Sequence, residues 1–502
     1  MATVLEDLAR GIDVALEGQD APALRGYLES IALLSRADVS KVERGSLAFF
    51  EANIHAALRI HADSTSADWL EPLLEAEIRA LRVARLALAD ESTRTLRNDL
   101  KLRVITNLAN ALNRSGRFVE AIELWDEVLA EHPRFGMAMG NKALALYGYA
   151  RYAGTGIERA LLLRANYRTV KAAMEAGVES HASAQISDLA AHISSVADWE
   201  NAEVPLPVFD AGRSKRERQY RRWCVRHRTV LSLINDVEFS VEALQDAVTL
   251  PSITMAVGEA RDLMPRPYAI FNQLKQEYVS ARYLVFEALC ERDDKLHFSD
   301  RGVVLFDALD YRYYRTWIEK LKMAFLALHA IFDKIAYLVN EYWKVGMETR
   351  RVSFGSVWHS GGRGSQELST PFAGSDNWPL RGLYCLSRDF HLKPVGEGAV
   401  DPEAKVLNEI RNHIAHKYLR VHDHVLYDAK GDRERNGDEL GYAISDQELE
   451  HQVMKLLKLA RSALIGLNCA VAHEEVARGR SLEEKGPVAP MELFVVKDRH
   501  RL

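Results

Sequence analysis

The amino-acid sequence predicts an all-α protein, and three observations carry that prediction. From Leu5 to about Trp199 apolar residues recur every three or four positions in an Ala- and Leu-rich run, as in EPLLEAEIRALRVARLALAD. That is the period of helices with one buried face. Between Tyr313 and Trp343 the chain reads YYRTWIEKLKMAFLALHAIFDKIAYLVNEYW, apolar nearly all round, as expected of a helix that forms the buried spine of a domain. Helix-start signatures punctuate the last third. Asp401 precedes Pro402, and Ser445 is followed three residues later by Glu448, an N-cap before proline and a capping box.

A chain of 502 residues exceeds one core of ordinary size, so several domains are expected. Hydrophobic residues at 48% and charged ones at 27% exclude a disordered or fibrous protein. The formal charge of -6 excludes nucleic-acid binding by overall basicity, though not by a local stripe. Cys224, Cys290, Cys385 and Cys469 are widely spaced without a CxxC pair, which suggests neither a disulfide framework nor a zinc ribbon and fits a reducing cytoplasm. The opening MATVLEDLARGIDVALEG lacks a signal-peptide layout. No run of about 18 apolar residues stands out, so a cytoplasmic protein without a membrane segment is expected.

Residues 1–200 read as successive helical hairpins. In LRVITNLANALNRSGRFVEAIELWDEVLAEHPRF, Leu108, Ala109 and Leu112 share one helix, Ser115–Gly116 makes a turn, and Ala121, Ile122 and Trp125 lie on the next, which Pro133 stops. Asn107, Ala109 and Leu112 recur 34 positions on as Asn141, Ala143 and Leu146. This register resembles a tetratricopeptide repeat, one good copy and one partial, with a generic helical hairpin as the plain alternative. Residues 201–300 open with NAEVPLPVFDAGRSKRER, a boundary followed by a mixed helical region. Residues 301–480 hold the spine helix, a Gly- and Ser-rich stretch from Ser353 to Leu380 expected to be a long surface loop, a shorter helix through WPLRGLYCLSRDFH, a helix over 402–422, and a final helix through LEHQVMKLLKLARSALIGLNCAVAHEE. Four helices and one large loop make a bundle. Residues 481–502 form a tail.

The 402–422 segment contains RNHIAH. At about 100° per residue, Leu407, Ile410, Ile414 and Tyr418 fall in one stripe that must face the core. With Leu407 at zero, Arg411 stands at about 40°, Asn412 at about 140° and His416 at about 180°. Asn412 and His416 therefore point outward together, while Arg411 flanks the buried stripe and must reach out along its stem. By spacing alone, this is equally the solvated face of an ordinary helix.

Arg411, Asn412 and His416 on a helix late in such a bundle resemble the RNxxxH motif of the HEPN superfamily. The preceding FDKIAYLVNEYW helix is similar to the branch that joins an N-terminal helical-repeat region to a C-terminal HEPN bundle. The resemblance implies a metal-independent endoribonuclease without a cofactor, acting on RNA in a homodimer joined through the C-terminal bundle. It implies Arg411, Asn412 and His416 as catalytic residues at a two-fold interface, in antiviral defence or a toxin-like stress response, with the repeats binding a trigger. His413, Lys417 and Arg420 beside the motif are expected on the substrate side. The reading from another class is a non-catalytic adaptor, in which the repeats hold a partner and the bundle dimerises or binds RNA.

Two other patterns compete. His413, His416, His422 and His424 crowd together in the manner of metal ligands, but no HExxH or cysteine accompanies them, and no metal is expected. GRSKRERQYRRWCVRHR, from Gly212 to Arg228, interleaves Tyr220 and Trp223 with cations. That composition suits an RNA-binding stripe, or a solvated helix whose arginines pair with acids elsewhere. GGRG at 361–364 lacks the Gly-Lys-Ser/Thr of a phosphate loop and reads as a mobile segment beside the site.

Overall fold

Helical periodicity in the sequence becomes helix almost throughout the computed structural model, which describes residues 2–60, 69, 71–89, 98–153, 156–254, 266–292, 296–306, 312–361, 367–390, 400–425 and 440–483, with 493, 495, 496, 498 and 501. Each helix packs on the next through α1 (Ala2–Glu17), α2 (Ala21–Leu34), α3 (Lys41–Ile60), α4 (Pro72–Leu88), α5 (Asn98–Arg114), α6 (Phe118–Glu131), α7 (Gly136–Ala150), α8 (Gly156–Ala176) and α9 (Ser180–Val196). Ala109, Leu112, Ala121, Ala143 and Leu146 are all buried. The small side chains of Ala109, Ala121 and Ala143 let the paired helices approach closely, and Leu112 and Leu146 fill the space beside them.

Residues 201–212 carry no helix, and α10 (Lys215–Arg226) follows, capped by Ser214, whose side chain accepts from Glu217 N. The C-terminal part comprises α11 (Arg266–Glu291), α12 (Thr316–Tyr342), α13 (Trp378–Asp389), α14 (Ala404–His416) and α15 (Asp446–Glu483). The capping box of α15 forms as its sequence suggests, with Glu448 N donating to Ser445 Oγ at 3.1 Å. α12 has the length and hydropathy of a membrane-crossing helix, yet Leu321, Phe325, Leu328, Ile331 and Ile335 are fully buried in the core. The GGRG reading and most of the 481–502 tail lie outside the described residues.

The helix carrying RNHIAH ends at His416, and Tyr418–His422 forms strand β1, parallel to β2 (Gly441–Ser445). Aromatic and β-branched residues in YLRVH suit a pleated surface, and the partner strand supplies pairing that helical periodicity does not reveal. Arg312 also bridges His422 in antiparallel sense, and Tyr313 N donates to Val421 O at 2.8 Å. Tyr418 thus leaves the buried stripe and is half-exposed. The helix also begins at Ala404, so Asp401 is not its N-cap, though its side chain accepts from Glu403 N at 2.9 Å.

The 353–380 stretch is not a surface loop. Phe354, Val357, Trp358 and Phe372 are buried, and Trp69 from the N-terminal helices stacks on Phe372 at 5.6 Å and donates from Nε1 to Ser375 O at 2.9 Å.

The N-terminal helices are joined to the bundle through α13. Asp389 accepts a bidentate pair of hydrogen bonds from Arg82 at 2.7 and 2.9 Å and a third from Arg117 at 2.6 Å. Gly116, with φ +92°, touches the backbone of Gly382, and a Cβ there would meet Trp378 O at 2.2 Å. One apolar core therefore runs from α3 to α15 without interruption.

Candidate functional site

α14 is amphipathic, and its buried face is fixed before its exposed one. Ala404, Leu407 and Ile410 are essentially inaccessible, and Ile414 is half-buried against the core. Its entry is pinned to α15: Lys455 Nζ bridges Asp401 at 2.7 Å and Glu403 at 2.6 Å, and Gln452 donates to Glu403 at 3.1 Å. Asn408 Nδ2 donates to Phe390 O and to Ala404 O, tying the middle of α14 to the end of α13. With both attachments set, the helix has one rotation about its axis.

That rotation puts Asn412 and His416 on the exposed face and leaves Arg411 half-buried. Arg411 Nη1 donates to Asn412 Oδ1 at 3.0 Å, so the two side chains share one patch. His416 occupies the last helical position. Lys417 follows it, exposed.

The other site candidates diverge from this patch. His413 is 5% exposed, donates from Nδ1 to Glu409 O at 2.8 Å, and stacks on Tyr442 at 5.4 Å between ring centroids. The burial of His413 follows from its place beside Ile410 and from the packing of β2 against α14. Arg420, equally buried, lies on β1. Ending the helix at His416 carries this residue away from the α14 surface.

The four histidines separate in the same way. His416 faces out, His413 faces Tyr442, His422 is buried on β1, and His424 Nδ1 lies 3.1 Å from Asp446 Oδ1. Among the described residues no group of three or more His, Cys, Asp or Glu could hold a metal ion.

His329 on α12 lies within reach of the Arg411 charge, which the sequence alone does not show. Burial pushes its imidazole pKa down, and the nearby Arg411 charge pushes it further, against the opposing pull of Asp333. Its ring meets Phe390 edge-on at 5.9 Å. Burial and the Arg411 charge both disfavour the imidazolium form of His329. The signal available in the sequence was a histidine inside the otherwise apolar FLALHAIFDK, four residues before Asp333.

The aromatic residues of the basic 212–228 stretch are packed against α11. Tyr220 OH accepts from Arg282 Nε at 2.9 Å, and Trp223 lies against Phe286 at 5.8 Å. Arg216 stacks over Phe286 at 4.7 Å, Arg221 pairs with Glu217, and Arg228 pairs with Asp126 at 2.6 Å. Arg213, Lys215, Arg218, Arg222 and Arg226 keep an exposed cationic surface.

With this geometry in place, comparison with known proteins adds one finding. Residues 259–474 match the family described as LA2681-like HEPN. The matched span contains α11 through most of α15, including the Arg411–His416 patch. No curated protein and no solved structure matches the chain at a significant level.

Proposed function

Because the chain carries a HEPN domain over residues 259–474, we propose that it is a metal-independent endoribonuclease whose active site is completed when two copies bring their α14 helices together. The observation that carries this reading is the outward patch on α14, where Arg411, Asn412 and the exposed His416 are gathered away from their own core. A patch of this kind is half-enclosed at most. A second copy related by two-fold symmetry supplies the matching cations and excludes water.

In the reaction the RNA 2′-hydroxyl attacks the adjacent phosphorus and the 5′-oxygen leaves. His416 suits removal of the 2′-proton or donation of a proton to the leaving oxygen. Arg411 neutralises the charge that accumulates on the phosphoryl oxygens, and Asn412 orients its guanidinium through the hydrogen bond between them. The products are a 2′,3′-cyclic phosphate and a 5′-hydroxyl. In this reading the N-terminal helices, which meet the bundle at Asp389, restrain or release the activity in response to a trigger, as a defence or stress nuclease requires.

The test uses the full chain with mixed RNA and matched DNA, with EDTA and in one control without it. Wild type is expected to cut RNA and not DNA. Arg411→Ala and His416→Ala are each expected to lower the rate by roughly 100-fold or more. Equal cutting by all three proteins would refute the assignment. Wild type that dimerises and binds RNA but never cuts it would favour a non-catalytic adaptor.

A further inference from the structure

Side chains alternate along a strand, so β1 sends Leu419 and Val421 to one face and Tyr418, Arg420 and His422 to the other. Leu419 and Val421 enter the core. The opposite face is cationic. Arg312 pairs with His422 across the antiparallel bridge and extends its guanidinium over the Tyr418 ring, 5.6 Å from the centroid. Arg420 lies between His422 and Tyr418 on that same face.

Arg420 is 5% exposed, and its Nε is shut off from solvent with no hydrogen-bond partner. A buried guanidinium without a counter-charge is costly, and elsewhere this chain avoids it. Arg117 has Asp389, Arg282 has Asp246, Arg381 has Glu71, and Arg461 has Asp236. Among the described residues Arg420 is the buried arginine without a carboxylate partner. The positions of β2 paired with Tyr418, Arg420 and His422 are Gly441, Ala443 and Ser445, none of them charged. The nearest acids along the chain are engaged elsewhere: Asp423 accepts from Tyr313 OH at 2.5 Å, and Asp446 is held by His424 and Arg292.

We infer that Arg420 and Arg312 form a phosphate-binding subsite on the face of β1 opposite Leu419 and Val421, which holds a backbone phosphate of the RNA strand next to the bond cut at Arg411 and His416. The inference rests on the ribonuclease reading for its ligand. Arg420 follows His416 by four residues, at most about 13 Å at 3.3 Å per residue, so one strand can reach both. Tyr418, half-exposed between them, offers a ring on which a base stacks. A phosphate on Arg420 supplies the missing counter-charge.

The experiment compares the full chain with Arg420→Met and Arg420→Lys. A single-stranded 2′-O-methyl oligonucleotide, which cannot be cut by 2′-hydroxyl attack, is the binding probe, followed by anisotropy over a range of salt. Arg420→Met is expected to weaken binding about tenfold or more, and to reduce the slope of log K against log salt by about 0.7. Arg420→Lys should restore part of both. Inorganic phosphate should raise the unfolding temperature of wild type and not of Arg420→Met. The unliganded Arg420→Met protein should unfold no earlier than wild type, since it loses an unpaired buried charge.

Binding within twofold of wild type with an unchanged salt slope would overturn the subsite, and so would a lowered unfolding temperature in the unliganded variant. Cleavage of ordinary RNA, measured in parallel, separates the two readings. If wild type binds through Arg420 but cuts nothing, the subsite stands and the ribonuclease reading fails. If wild type cuts and Arg420→Met binds equally well, the ribonuclease reading stands and the subsite fails.

Discussion

Replacing Asp389 by asparagine keeps the side-chain shape and removes the one charge that two buried guanidiniums share. Asp389 and Arg117 are each 2% exposed at the side chain and Arg82 is 13% exposed. Burial alone would push the Asp389 carboxyl up, but Arg117 and Arg82 outweigh it and hold its pKa at about 2, against 3.8 for an ordinary aspartate. That shift corresponds to about 2 kcal/mol of net stabilisation of the ionised form. The substitution costs more than this, because it leaves cations buried without their partner, for which about 3–5 kcal/mol is typical. Arg117 retains Glu120 at 2.6 Å, whereas Arg82 has no second ion pair among the described residues. The lower end, about 3 kcal/mol, is therefore expected. A chain of this length need not unfold in one step, so the assay is amide hydrogen exchange of α13 and α4, supported by urea unfolding. Exchange limited by separation of the two layers should accelerate roughly 100-fold in Asp389→Asn. Unchanged exchange in α13, with an unfolding midpoint equal to wild type, would refute the view that this triad holds the N-terminal helices to the bundle.

The same carboxyl fixes the direction of a pH effect. Its pKa is lower folded than unfolded, so its contribution is complete above the unfolded value and is lost as pH falls from about 5 towards 2; Asp389→Asn should flatten the acid limb of a plot of unfolding temperature against pH. Gly116→Ala combines a left-handed backbone with a Cβ facing Trp378 O at 2.2 Å, and should lower the unfolding temperature by several degrees in a thermal scan. Trp69→Ala empties the pocket formed by Trp358, Phe372 and Tyr384 and should cost about 3–5 kcal/mol in urea unfolding. His413→Phe keeps the stack on Tyr442, and in an RNA-cleavage assay should retain most of the wild-type rate, unlike His416→Ala.

The legible part of this protein is the part built from local periodicity. The spine helix, the α15 capping box and the hairpin of α5 and α6 follow from residues three or four apart, because a helix satisfies its backbone within itself and needs outside contacts only for its buried stripe. The outward placement of Asn412 and His416 was legible for the same reason. The apolar positions Leu407 and Ile410 fix the helix rotation, and the polar positions take what remains.

What lay beyond the sequence depended on pairing at long range. YLRVH carries spacing that continues the α14 helix, yet its backbone groups pair with Gly441–Ser445 and with Tyr313. That exchange took Arg420 off the α14 surface and buried it on β1. Gly and Ser between Ser353 and Leu380 mark turns correctly, but whether turns lie at the surface depends on what covers them, and here Trp69 does. His329 feels the Arg411 charge because α12 packs against α14, a crossing set by tertiary packing. The sequence by itself determined the helices and the direction in which RNHIAH faces, since both are properties of a local repeat. The tertiary structure decided where α14 stops, which histidines stay near the patch and which arginine is buried without a partner, because each of these depends on residues distant in the chain meeting in space.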